Sequence, residues 1–187
     1  MSGATALDRF VQECSARLTE LAAGGGQSEV FREGAAEFAA AVANMRPVDR
    51  ERTTVPVVST LPSAPPAPLL TAALDAQPEI PWIPSHRMTD GGTEAALAPL
   101  NEVRDFGDVI VGLLALAPGA AYPEHSHPPQ EIYLPITGGG RWRFGGAQTY
   151  RQLERGELVY NHPNDRHGIV AEEHPVLAMY VLWGASL

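Results

Sequence analysis

The sequence predicts a mostly β protein, an antiparallel sandwich or barrel that carries an α-helical region at its N-terminus. Three observations lead there. Residues 5–22 and 28–45 repeat apolar side chains at three- and four-residue steps, the spacing of one helix face. Residues 53–68, TTVPVVSTLPSAPPAP, hold five prolines and no charge, the composition of an extended connector. From Glu79 onward, short β-rich segments alternate with Gly, Pro, Asn and Asp punctuation. The expected organisation is a helical region at 1–52, a proline-rich connector at 53–78 and a β-barrel at 79–187.

The first helix places Leu7, Phe10, Cys14, Leu18 and Leu21 on one side. Thr5 or Ser2 can cap it, and Gly24-Gly25-Gly26 stops it. The second places Phe31, Ala35, Phe38, Val42 and Met45 together and ends at Pro47. Two short amphipathic helices cannot bury their own faces, so they need the barrel, as a lid or bracket, or a second subunit in a homodimer. One or two helical turns are expected at 69–74. Strands are expected at 80–83, 109–116, 131–136, 141–144, 148–152, 157–160, 169–171 and 176–183. Many short strands at this spacing suit an antiparallel sandwich or barrel.

Composition narrows the function. Apolar residues at 44% and charged residues at 19% are ordinary for a globular chain. The 22 acids against 13 bases leave a net charge of −9, which argues against a nucleic-acid partner. The single cysteine, Cys14, excludes an intramolecular disulfide and is expected to be buried. The N-terminus has Asp8, Arg9 and Glu13 where a secretory signal would be apolar, and the longest uncharged apolar run, 109–123, is too short to span a bilayer. A cytoplasmic protein with no membrane partner is expected.

Residues 119–138, GAAYPEHSHPPQEIYLPITG, carry the chemistry. His125, His127 and Glu131 form an H-x-H-x-x-x-E array, and His167 follows 36 residues after Glu131. Imidazole nitrogens with one carboxylate suit one divalent transition metal per chain: Zn, Fe(II), Mn, Co or Ni. On a strand, residues two apart share a face, so His125 would project with His127, and Glu131 with Tyr133. Pro128-Pro129 would turn the chain between the two strands.

The stretch resembles the cupin family. Gly119, five residues, His125-Ser-His127, three residues, Glu131, six residues and Gly138 match the first cupin motif without a gap. Gly156 and His167 keep the spacing of the second motif; Pro163 stands one place late, and Asn164 replaces a glycine. Asparagine tolerates the left-handed backbone region, so the turn survives. The resemblance implies a single cupin barrel of jelly-roll type over roughly residues 80–187.

With Tyr133 added, the array is similar to the cupin-type dimethylsulfoniopropionate (DMSP) lyases, which split that zwitterionic sulfonium carboxylate into dimethyl sulfide and acrylate. The resemblance implies metal ligation by His125, His127, Glu131 and His167, with Tyr133 as the catalytic base. A phenol near a cation would ionise below its ordinary pKa near 10. The sulfonium needs aromatic neighbours, for which Tyr122, Tyr160, Trp82, Trp183 and Trp142 are candidates. His162 could assist His167, and Arg141 and Arg143 could hold a carboxylate or form a solvent face. The alternatives are another metal-dependent cupin enzyme, a dioxygenase or isomerase, and a non-catalytic small-molecule-binding cupin.

Overall fold

The computed structural model describes residues 4–24, 28–48, 68–85, 95–153 and 156–186. Residues 53–67 of the connector expected at 53–78 lie outside them, as do Ser2 and His86. The described residues form three α-helices, α1 (Ala6–Ala23), α2 (Glu29–Asn44) and, after the first strand, α3 (Pro68–Ala76). The strands are β1 (Arg46–Pro47), β2 (Ile83–Pro84), β3 (Ala95–Pro99), β4 (Arg104–Asp105), β5 (Ile110–Leu116), β6 (Ala121–His125), β7 (Gln130–Pro135), β8 (Arg141–Arg143), β9 (Arg151–Gln152), β10 (Val159–Asn161), β11 (His167–Val170) and β12 (Val176–Trp183).

The strands form a six-stranded sheet of order β10-β7-β12-β5-β3-β2 and a four-stranded sheet of order β6-β11-β8-β9, with β1 and β4 paired apart. Every described pairing is antiparallel. Alternation along the strands builds three layers. Leu177, Met179, Val181 and Trp183 of β12 share a core with α1, α2 and α3. Val176, Ala178 and Tyr180, one residue out of phase, face the four-stranded sheet with Tyr122, Trp142 and Ile169. The helices thus cover the outer face of the large sheet and do not cap a barrel mouth, as a lid would. The apolar stripes explain it: Leu7, Phe10, Cys14, Leu18 and Phe38 are all buried there. Contact is close enough that a Cβ on Gly34 would lie 2.5 Å from Ile132 Cδ1 and 2.6 Å from Trp183 Cη2.

A polar latch anchors α1. Thr5 and Asp8 form a reciprocal capping box. Glu79 Oε1 accepts from Ala6 N–H at 3.0 Å and Leu7 N–H at 3.3 Å. The buried Arg104 donates to Asp8 Oδ1 at 2.7 Å, Thr5 Oγ1 at 3.0 Å and Glu79 Oε2 at 3.4 Å. Burial pushes the Asp8 carboxyl up, but the Thr5 amide and the Arg104 guanidinium outweigh it and hold the pKa below the ordinary value.

Several elements differ from expectation for local reasons. Of the expected strand at 80–83 only Ile83 pairs, as the start of β2, because Pro81 lacks a ladder donor. The alanine-rich β3 is a strand because it completes the ladder between β2 and β5. β6 contains Pro123 and tolerates it as an edge strand. Of 148–152, only Arg151–Gln152 pairs.

Candidate metal centre

Both sheets deliver a cross-strand pair to the same end of the sandwich. In the small sheet His125 stands opposite His167. In the large sheet Glu131 stands opposite Asn161. His127 departs from expectation: β6 ends at His125, so His127 sits in the turn before β7. Its place is set by contacts within that turn and with the second motif. His127 Nδ1 lies 3.1 Å from Pro129 O, and its own carbonyl accepts from Asn164 N–H at 2.8 Å. Asn164 has φ of 64°, the left-handed conformation expected of a residue replacing glycine.

The three imidazoles are held alike. His125 Nδ1 lies 3.0 Å from Pro123 O, and His167 Nδ1 lies 2.9 Å from Asp165 O. A carbonyl only accepts, so each Nδ1 carries a proton and each Nε2 presents its lone pair in the neutral ring. These lone pairs converge. His125 Nε2 and His167 Nε2 are 3.0 Å apart. Glu131 Oε2 lies 3.3 Å from His127 Nε2 and 3.2 Å from His167 Nε2. Metal bonds of about 2.0–2.1 Å give ligand-to-ligand separations of roughly 3.0–3.4 Å, so the donor set has the size of a first-row metal site. The three histidines form a group whose ligand atoms lie within 4.8 Å of one another.

Glu131 is 2% exposed. Burial pushes its carboxyl up, but His127 and His167, in their protonated form, and the Asn161 amide outweigh it, and the pKa falls below the ordinary carboxylate value. Asn161 Nδ2 donates to Glu131 Oε2 at 2.8 Å. Tyr133, two residues along the same face of β7, is buried beside it. Desolvation, the Glu131 charge and a hydrogen bond to Glu131 push its phenol well above the ordinary value. The protein's own groups therefore shift Tyr133 upward, opposite to the direction expected from a nearby cation.

Aromatic rings continue inward. Tyr122 packs edge-on to His125 with centroids 5.0 Å apart. Tyr133 packs against Trp142 at 5.3 Å and Tyr180 at 6.2 Å. Tyr180 was not singled out in the sequence, although its phase with Val176 and Ala178 marks it as inward-facing; it lies opposite Tyr133 in the ladder. Three candidates for the cation pocket are placed elsewhere. Tyr160, Trp82 and Trp183 belong to the helix-side core. Tyr160 is one residue out of phase with Asn161; it meets Phe31 and donates to Gln130 Oε1 at 2.6 Å. Trp183 Nε1 donates to Glu33 at 3.2 Å.

The remaining polar candidates lie elsewhere. His162 is exposed and meets Tyr160 edge-on, and His174 is exposed. Arg141 pairs with Glu172 at 2.9 Å, and Arg143 with Glu124 at 2.5 Å, so both serve the outer face of the small sheet.

The sequence profile of the dimethylsulfoniopropionate lyase family matches residues 84–178. Two solved structures are similar over nearly the whole chain. The DMSP lyase DddQ from Ruegeria pomeroyi DSS-3 shares 19% identity, with 95% of this chain and 92% of that one covered and a TM-score of 0.69. A second, described as the DMSP lyases RdDddP and RnDddQII, shares 22% identity, with 95% of each chain covered and a TM-score of 0.65. At these identities the likeness carries the fold, helical region included. No curated protein matches the chain by sequence. Among the described residues, no helix is long and apolar enough to cross a membrane.

Proposed function

Since the chain belongs to the dimethylsulfoniopropionate lyase family, we propose that it cleaves DMSP to dimethyl sulfide and acrylate by a metal-dependent β-elimination in which Tyr133 is the base. The observation that carries this reading is the gathering of His125, His127 and His167 within 4.8 Å of one another, with Glu131 Oε2 3.3 Å from His127 Nε2 and 3.2 Å from His167 Nε2, and with Tyr133 two residues from that carboxylate on the same face of β7. His125, His127, Glu131 and His167 would hold one divalent ion, with Zn, Fe(II), Mn, Co and Ni all compatible with the donor set. Bound there, the ion supplies a Lewis acid for the substrate carboxylate, which must take up charge when the α proton leaves.

The chain's residues do the rest. Tyr122, Tyr180 and Trp142 surround the sulfonium, each ring face contributing roughly 0.5–2 kcal/mol of cation–π attraction. Tyr133 oxygen takes the α proton. The C–H pair becomes the new carbon–carbon double bond, the β C–S bond breaks, and its pair leaves on sulfur as neutral dimethyl sulfide. No acid is needed at the leaving group. Tyr133 rests protonated, because burial and Glu131 hold its proton, and it must lose that proton to solvent before its oxygen can take one from the substrate. Positive charge entering the pocket with the substrate offsets Glu131 and favours the phenolate.

The test is headspace dimethyl sulfide from metal-loaded protein supplied with DMSP. Release that stops on chelation and returns on reloading is expected. Absence of dimethyl sulfide from protein carrying one metal per chain would reject the substrate; release unaffected by complete metal removal would reject the metal dependence.

A further inference from the structure

Asn161 is fully buried, and both ends of its amide are committed. Nδ2 donates to Glu131 Oε2 at 2.8 Å, and Oδ1 accepts from Gly145 N–H at 3.3 Å. The second contact settles the first. A backbone N–H only donates, so Oδ1 faces Gly145 and the NH₂ end must face the carboxylate. The residue is placed by the ladder, which sets Asn161 directly opposite Glu131, and by the Gly145 backbone, where φ is 58°. From this geometry we infer that Asn161 is a positioning residue for the metal centre. It fixes the rotation of the Glu131 carboxylate and occupies one lone-pair direction of the oxygen nearest the imidazoles. The inference rests on the metal-centre reading above.

The oxygen contacted is the one that lies 3.3 Å from His127 Nε2 and 3.2 Å from His167 Nε2. A carboxylate can turn about its last bond, and that torsion is broad. With Oε2 tethered to Asn161, rotation toward two-oxygen binding costs a hydrogen bond at a buried position. The tether therefore favours one-oxygen coordination. That leaves Oε1 free of the tether on the carboxylate that also engages Tyr133. Outer partners of metal ligands typically contribute 10–100-fold in metal affinity. No titration of Asn161 is involved, since an amide carries no charge in either state.

The experiment titrates the metal-free full chain with Co(II) against a competing chelator and records the visible spectrum. It compares the parent with Asn161→Leu, which keeps the volume, Asn161→Ala, which cannot overfill the site, and His127→Ala. Folding is checked by circular dichroism. Expected is Co(II) affinity about 10–100-fold weaker in the two Asn161 variants, with an altered d–d band that reports a changed carboxylate. If a folded Asn161 variant keeps the parent's affinity and spectrum while His127→Ala loses Co(II), the role of Asn161 is overturned and the metal centre stands. If His127→Ala binds Co(II) like the parent, the centre itself is wrong and both readings fall.

Discussion

His125 and His167 bring their Nε2 atoms to 3.0 Å, although a backbone carbonyl lies within 3.0 Å of the Nδ1 atom of each. Two neutral imidazoles so arranged point lone pair at lone pair. A cation between them turns repulsion into two bonds. The first prediction follows: His125→Ala and His167→Ala each lower bound metal to well under one ion per chain, measured by elemental analysis after dialysis. Full metal content in the double variant would reject the site.

Tyr133→Phe keeps the ring against Trp142 and Tyr180 and removes the proton acceptor. Turnover should fall about 10²–10⁴-fold at equal metal content. The pH profile adds a second check. Burial and Glu131 raise this phenol, so its base form populates as pH rises, and the rate climbs with pH. The sulfonium of bound substrate opposes Glu131, so the limb seen in kcat should lie at lower pH than that in kcat/KM. Coincident limbs, or parental turnover in Tyr133→Phe, would assign the base elsewhere.

The two faces of the large sheet separate binding from stability. Tyr122→Ala, on the inner side, should raise KM for a sulfonium substrate about tenfold. Tyr160→Phe and Trp183→Phe, on the helix side, should leave KM unchanged and lower stability by about 0.5–1.5 kcal/mol each through a lost hydrogen bond. Steady-state kinetics and denaturant melts on the same samples decide it; a KM shift in Tyr160→Phe would reverse the assignment.

The Arg104 latch makes part of the stability acid-sensitive. The Asp8 pKa is depressed in the folded chain, so its contribution is fully present above the unfolded value of about 3.9 and is lost as pH falls through the folded one. Asp8→Asn should cost about 1–3 kcal/mol at pH 7, and the gap to the parent should close below about pH 4. Urea unfolding across that range measures it; a gap that widens in acid would contradict the latch.

Removing α1, α2 and α3 strips the cover from Leu177, Met179 and Val181. A chain beginning at Glu79 should aggregate or change its oligomeric state in analytical ultracentrifugation. If it stays monodisperse, unchanged in assembly and fully active, the helices are dispensable to the folded unit.

Much of this was legible in the sequence, where local pattern and tertiary need agree. The helical stripes, the capping Thr5 and β12 follow from periodicity alone. Spacing placed His125, Glu131 and His167 at one end because strand register preserves spacing. His127 escaped the strand pattern, since Pro128-Pro129 end pairing sooner than a two-residue alternation suggests. Asn161 carries no motif, and its importance comes from standing opposite Glu131, which only the ladder decides. Tyr160 looked suitable by proximity to a ligand in sequence, yet one residue of phase sends a strand side chain to the other face.

The proposed metal centre would also join what the backbone leaves apart. His125 and His167 belong to the four-stranded sheet and Glu131 to the six-stranded one. An ion shared among them is a cross-link between sheets that hydrogen bonding along strands does not supply. Its grip on the folded chain grows with occupancy, reaching about 4 kcal/mol when free metal exceeds its dissociation constant a thousandfold. Heat resistance thus becomes a gauge of the ion itself: ranking melting temperatures across Zn, Mn, Co, Ni and Fe(II) orders the chain's preferences before any substrate is added.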